Sequence, residues 1–215
     1  MFLYSIGKPL VRFLLGLGGM RIIGSENIPK DRNMMVIANH TSFGDVPVIA
    51  MPFKQQLRFI AKEGFAANGF TRRLFSSLGA TFLNSADSDL AAMRRVMSLI
   101  KQGESICIFP EGKRNFDQQL GEFKPGAAYI AYRTGISILP VGLLNTGDFW
   151  RFWKRNIIIN IGKPIELDKS EKMTQEYLDK YNELFHSEVG ALVEKNKRII
   201  ASEGKRMRAV PKKYK

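Results

Sequence analysis

Six short apolar runs, separated by stretches of a different period, narrow most what this chain can become. They are Met34–Ala38, Leu57–Ala61, Ala80–Leu83, Ser105–Phe109, Ile136–Val141 and Asn156–Ile161. Each is short for a core helix and too continuously apolar for a strand with one wet face, so each reads as a buried strand. Between them the period changes. In "DSDLAAMRRVMSLIKQG", Leu90, Met93, Met97 and Ile100 fall on one helical face, and Gly103 stands where a helix would stop. A second helix is expected from about residue 169 to 201, opened by a capping box of Asp168 and Glu171. Met173, Tyr177, Tyr181 and Leu184 would form its apolar stripe. Strands alternating with helices predict an α/β domain, with a largely parallel central sheet flanked by helices. A length of 215 residues with 45% hydrophobic side chains suits one such domain.

One strand end carries chemistry. Met34–Ala38 runs into "NHTSFGD", residues 39–45. His40 and Asp45 cannot face each other on a regular element. Five residues of helix rotate about 140°, and an odd separation on a strand puts side chains on opposite faces. Thr41, Ser42 and Gly44 permit a turn between them. Pro47 is tolerated only in a helix's first turn, so a helix begins near residues 43–45. The motif is therefore a strand-to-helix corner, with His40 on the loop and Asp45 in the first helical turn.

Several readings of the pair compete. A metal site has little support, because the only other histidine, His186, lies in the expected C-terminal helix. A nucleophilic triad needs a Ser or Cys held by the base. Ser42 has no nucleophile-elbow pattern around it, and the single cysteine, Cys107, lies inside an apolar strand as core packing. A third reading is a dyad in which Asp45 orients His40, and His40 takes a proton from a substrate hydroxyl that attacks an activated acyl group. An unperturbed histidine titrates near 6.5, which suits that task. The fourth is a His–Asp hydrogen bond that only fixes the corner.

A second strand end adds to this. In "SICIFPEGKRN", residues 105–115, a strand meets Glu111, Gly112, Lys113 and Arg114. Arginine suits bidentate binding of phosphate or carboxylate, and lysine adds a point charge. Glycine allows a ligand to approach the backbone. Beside a His–Asp corner, this loop reads as an anion site next to a base.

Charge and hydropathy bear on partners. The formal charge is +13, and residues 195–215 hold nine Lys or Arg against one Glu. Such a tail suits an anionic membrane surface, nucleic acid, or plain solvation. The start, "MFLYSIGKPLVRFLLGLGGMRIIG", is apolar, but Lys8, Pro9 and Arg12 interrupt it. Its uncharged run 13–20 falls well short of the roughly 20 residues that span a bilayer. A segment lying in the membrane interface fits better. Trp150 and Trp153, among Arg151, Lys154 and Arg155, suit an interface or a packed connection. The expected division is residues 1–24 as membrane-associating segment, 25–201 as domain and 202–215 as basic tail. A single cysteine fits a reducing compartment.

With these motifs in place, the sequence resembles the glycerolipid acyltransferases, most closely the 1-acyl-glycerol-3-phosphate acyltransferases. Asn39, His40 and Asp45 match the family's Asn-His-four-residues-Asp motif, and "FPEGKRN" matches its Phe-Pro-Glu-Gly-Thr-Arg-Ser. "ILPVGL", with Pro140, matches its proline-centred strand; "FIAKEGF", with Lys62, and "GEFKPGAAYIA" match linking segments. The order and spacing agree over roughly residues 20–167. The resemblance implies a glycerol-3-phosphate acyltransferase-like fold and direct transfer of an acyl group from acyl-CoA or acyl-carrier protein to a lysophospholipid hydroxyl. It implies His40 as general base and Asp45 as its partner. Glu111 and Gly112 would shape the acceptor site, Arg114 would contact the acceptor's phosphate, and Pro140 would lie on the acyl-donor side. No metal or bound cofactor is implied. A location at the cytoplasmic face of a membrane is.

Two departures stand out. "TFLNS" puts Ser85 where the family has a phosphate-binding arginine, and Lys113 replaces the usual threonine. One lost charge-assisted contact costs about 1.5–3 kcal/mol. Lys62, Arg72, Arg73 or Lys113 could replace it. Otherwise the acceptor would be a phosphate-free lysolipid such as lyso-ornithine lipid. A basic nucleic-acid-binding protein is the reading from another class, and it predicts salt-sensitive binding.

Overall fold

The computed structural model describes residues 19–62, 79–83, 89–117, 119–150 and 156–209, and the single positions 69, 73 and 76. Among them, β1 (Arg21–Ile23), β2 (Met34–Ala38), β3 (Leu57–Lys62), β4 (Ala80–Leu83), β5 (Ser105–Ile108), β6 (Ser137–Leu144) and β7 (Ile158–Ile161) form one sheet in the order β1-β7-β6-β2-β5-β3-β4. All neighbours pair in parallel except β6 and β7. The helices are α1 (Asp45–Ile49), α2 (Asp89–Lys101), α3 (Gly126–Thr134) and α4 (Gln175–Ala209). This is the mixed, largely parallel α/β architecture expected.

Strand β2 explains the unbroken apolar runs. Met34, Val36 and Ala38 pack on one face with Val48 and Ile49 of α1 and with Phe53. Met35 and Ile37 pack on the other with Val96, Ala128 and Ala131 from α2 and α3, and Phe185 from α4. Alternate side chains point to opposite faces, and both faces are covered, so every position is apolar.

Four expectations change. Residues 21–23, read as the end of the N-terminal segment, form an edge strand on β7. Three residues are too few for a period to show. The long helix begins at Gln175, where the Thr174 hydroxyl accepts from the Tyr177 amide at 3.1 Å. Asp168 does not cap it. Its carboxylate accepts from the Ser170 amide at 2.8 Å, a bond that holds the carboxyl below its usual pKa. The helix continues to Ala209, past the expected start of the tail at 202. Its buried stripe runs Tyr177, Tyr181, Phe185, Val189, Val193, while Leu184 is 37% exposed. Residues four apart stack on one face, and Leu184 lies one position off that row. The membrane-associating segment before residue 19, Arg72, Ser85 and Trp153 lie outside the described residues. No helix among the described residues is long and apolar enough to cross a membrane.

The chain leaves β2, β5 and β6, three adjacent parallel strands, at the same edge of the sheet. Open α/β sheets commonly bind ligands at such carboxyl ends.

Candidate active site

Asn39 makes the corner possible. Its side chain donates to the Leu143 carbonyl at 3.0 Å and accepts from the Leu143 amide at 2.7 Å. It thus takes the place of one more ladder residue on β6 while its own backbone turns away. A two-sided side-chain mimic of backbone pairing requires an amide, which accounts for asparagine here.

Beyond it, His40 Nδ1 lies 2.7 Å from Asp45 Oδ2. The same oxygen accepts from the Thr41 and Ser42 amides at 2.7 and 2.8 Å. Asp45 Oδ1 accepts from the Thr146 hydroxyl. Asp45 is fully buried. Burying a lone carboxylate costs several kcal/mol, and hydrogen bonds to a charged group contribute about 1.5–3 kcal/mol each. Four close donors are therefore enough to hold the carboxylate without solvent. Since Asp45 accepts, the neutral imidazole carries its hydrogen on Nδ1, an assignment that follows from the partner. Nε2 has no hydrogen-bond partner among the described residues. The His40 side chain is 19% exposed and stacks on Phe109, with ring centroids 4.0 Å apart and planes at 14°.

The loop after β5 is fastened to this corner by Glu111. One carboxylate oxygen accepts from the His40 backbone amide at 2.7 Å. The other accepts from the Gly121 amide at 2.9 Å and from the Asn115 side chain. The Asn115 amide donates in turn to the His40 carbonyl at 2.8 Å. Glu111 is only 5% exposed, so it braces His40 from behind. A Cβ on Gly121 would run into the Asn115 side-chain amide and come within 2.8 Å of the Glu111 carboxylate, so a larger residue there displaces both side chains.

Gly112 and Lys113 are exposed on the outer side of the loop. Gly112 has φ of 69°, and a Cβ on it would meet Lys124 Cε at 3.0 Å. Arg114 is half-buried, its guanidinium carbon 3.7 Å from the Phe43 ring centroid and 5.5 Å from that of Phe116. Both rings are largely exposed, at 65% and 70%. Glu111, Lys113, Asn115, Gly121 and Lys124 line a cleft of about 540 Å³ beside the corner. Asp117 and Glu122 line it too, and neither His40 nor Arg114 is among its lining residues.

Other expected site residues are placed differently. Lys62 ends β3, on the far side of β5 from the corner strand. Pro140 is buried inside β6, opposite Ile37 and upstream of the corner. Its carbonyl accepts from Gly162 on the β7 side, where the ladder starts only at Val141. Its missing N–H points to that side, so a central strand tolerates it. His186 packs edge-on against Phe123, with centroids 5.0 Å apart. Among the described residues no three His, Cys, Asp or Glu side chains converge on one point.

Cys107 is buried in β5, and burial, with the Asp45 charge adding to it, pushes its thiol well above the ordinary range. The reactive species is the thiolate, so Cys107 offers no nucleophile. Iodoacetamide at mildly alkaline pH is expected to leave the folded protein unmodified, and to alkylate it once after denaturation in guanidinium chloride. A mass increase of the folded protein would contradict this.

Thr146 and Asn39 are the functional-site residues that sequence patterns do not single out for these roles. Both depend on β6 lying beside β2, which no local pattern reveals.

The family model described as Acyltransferase matches residues 19–144, from β1 to the end of β6. A 1-acyl-sn-glycerol-3-phosphate acyltransferase of Borreliella burgdorferi is 36% identical, over 72% of this chain and 62% of that protein. The chloroplastic enzyme of that name, LPAT1, from Arabidopsis thaliana is 31% identical, over 76% of this chain and 48% of its own. The chain therefore spans about half to three fifths of these relatives' lengths. The crystal structure of the 1-acyl-sn-glycerophosphate acyltransferase PlsC from Thermotoga maritima superposes with a TM-score of 0.63 at 27% identity, covering 89% of this chain and 80% of that one. With more than half of its 215 residues matched by the family model, this chain belongs to the acyltransferase family.

Proposed function

We propose that this protein is an O-acyltransferase that moves a fatty acyl group from an acyl-CoA or acyl-carrier-protein thioester to the free hydroxyl of 1-acyl-glycerol-3-phosphate, giving phosphatidic acid. The observation that carries the reading is the His40–Asp45 contact of 2.7 Å, which leaves Nε2 open beside a cationic loop. Nε2 takes the hydroxyl proton as the acceptor oxygen bonds to the thioester carbonyl carbon. The C–S bond then breaks, and the imidazolium returns the proton to the departing sulfur. General-base help of this kind contributes about 10²–10⁴ in rate. No enzyme nucleophile takes part, in keeping with the buried Cys107.

Lys113 and Arg114 bind the acceptor's phosphate, and Gly112 lets it come close to the backbone. Glu111 shapes the acceptor site indirectly, by holding the His40 amide. Lys62 adds to the acceptor's charge environment, and Pro140 shapes the acyl-donor side. The protein works at the surface of an anionic membrane on its cytoplasmic side, and needs no metal or bound cofactor. Three relatives whose names carry the same reaction support this substrate class.

Competing acceptors test it. Purified protein is given one acyl-CoA and mixed vesicles holding lysophosphatidic acid and lyso-ornithine lipid in equal amounts. Phosphatidic acid is the expected main product. A clear preference for lyso-ornithine lipid would reject the phosphate-binding role of Lys113 and Arg114.

A further inference from the structure

We infer that Thr146 is a positioning residue for the proposed base, acting on His40 through Asp45. The inference rests on the acyl-transfer reading above. Thr146 lies beyond the segment that the family model matches, which ends at residue 144. It opens a 3-10 turn after β6, and its side chain is fully buried. Asn145 before it has φ of 58°, the one non-glycine with positive φ among the described residues. That left-handed residue, its side chain tied to the Asn156 carbonyl at 3.1 Å, swings the chain off the strand. Thr146 is thereby aimed at Asp45, 101 residues earlier.

The surroundings give its hydroxyl a direction. Thr146 Oγ1 donates to Asp45 Oδ1, the oxygen that does not touch His40. Having spent its one hydrogen, it accepts from Ser42 Oγ at 3.0 Å, and Thr41 Oγ1 lies 3.3 Å away. Ser42 Oγ itself accepts from the Gly44 amide at 3.0 Å. The result is a directed chain from the Gly44 amide through Ser42 and Thr146 to Asp45. Each donor polarises the next. Ser42 and Thr41 reach Oδ1 directly only at 3.5 and 3.4 Å, so Thr146 is its one close partner. Without it Oδ1 keeps only the long contacts from Thr41 and Ser42, so the carboxylate is held mainly through Oδ2 and can rotate about that oxygen, taking the imidazole with it.

Acceptor and donor do not touch Thr146 in this scheme, so the expected signature is in kcat and not KM. Thr146→Val keeps the shape and removes the hydroxyl; Thr146→Ser keeps the hydroxyl. Thr146→Val is expected to lower kcat about ten- to a hundredfold with KM nearly unchanged, the scale of one hydrogen bond to a charged group. Thr146→Ser should stay within a few-fold of wild type. The imidazole N–H proton signal supplies a second readout. The chain has two histidines, so His186→Gln assigns the His40 signal. That signal should persist in the serine variant and broaden through exchange in the valine variant.

If Thr146→Val does not fold, Thr146→Ala against Thr146→Ser makes the same comparison, since only alanine removes the hydroxyl. Wild-type kcat in the folded variant lacking the hydroxyl, or equal losses in the variants with and without it, overturns the role of Thr146. Absence of acyl transfer by the wild-type protein instead overturns the reaction itself, so the two failures are distinct.

Discussion

Asp45→Asn is expected to cut acyl transfer by about 10²–10⁴ and to lower the melting temperature in the same protein. The two effects have separate causes. Asp45 Oδ2 accepts from His40 Nδ1 and from the amides of Thr41 and Ser42. An asparagine that offers its oxygen there keeps those bonds but loses the charge that stabilises the imidazolium formed during proton transfer. That loss falls on the chemical step, within the range general-base help spans. The amide nitrogen then faces Thr146, which has donated its hydrogen to Asp45. Thr146 must reverse, and the hydroxyl chain from Ser42 reverses with it. One poorly satisfied buried polar group costs about 2 kcal/mol, or about 4–8 °C in melting temperature for a chain of this size. Turnover by a purified variant below its own melting temperature, together with a thermal melt, checks both halves. A variant that melts early yet turns over at the wild-type rate would leave Asp45 a purely structural role.

This coupling of stability and chemistry follows from where the corner sits. Asn39 extends β2 through its side chain, so the backbone is free to turn directly over the sheet's edge. Glu111 then fastens the turn to the neighbouring loop through the His40 amide. The imidazole is held from three sides: the Phe109 ring beneath it, the Glu111 carboxylate behind its backbone and Asp45 on Nδ1. An imidazole so fixed, acting as the proposed base, avoids the cost of finding its orientation at each turnover. The exposed face of the same loops carries the cations, with Arg114 set against Phe43.

Much of this is legible in the amino-acid sequence, for physical reasons that differ by element. The buried strands announce themselves because a sheet covered on both faces demands apolar residues at every position, and β2 falls where its run predicts. The corner is legible because Pro47 and the small residues around Gly44 leave the backbone little alternative. Resemblance ties Glu111 to the acceptor site. Only the fold shows its carboxylate turned inward toward His40, Asn115 and Gly121. Edge strand β1 escapes a sequence reading because three residues carry no period. The start of α4 is misplaced by sequence because Asp168 satisfies its own backbone two residues on, a use of aspartate that looks the same as a cap. Thr146 is invisible for a topological reason. Nothing local distinguishes it from any other turn threonine; its meaning depends on β6 running parallel to β2 and ending beside it.

The most direct measurement is the rate of phosphatidic acid formation by His40→Ala, run beside the wild-type protein with one acyl-CoA and lysophosphatidic acid in vesicles. His40 is the residue of the cluster whose ring is partly exposed and which, in the proposed mechanism, accepts the hydroxyl proton. Its backbone bonds to Glu111 and Asn115 survive the substitution, so the loop keeps its course. Asp45 loses one of its donors but keeps the Thr41 and Ser42 amides and Thr146. The fold should therefore remain, with an unchanged circular dichroism spectrum. Loss of transfer by about 10²–10⁴ is expected, with lysophosphatidic acid binding retained. Phosphatidic acid formed by folded His40→Ala at the wild-type rate would contradict it.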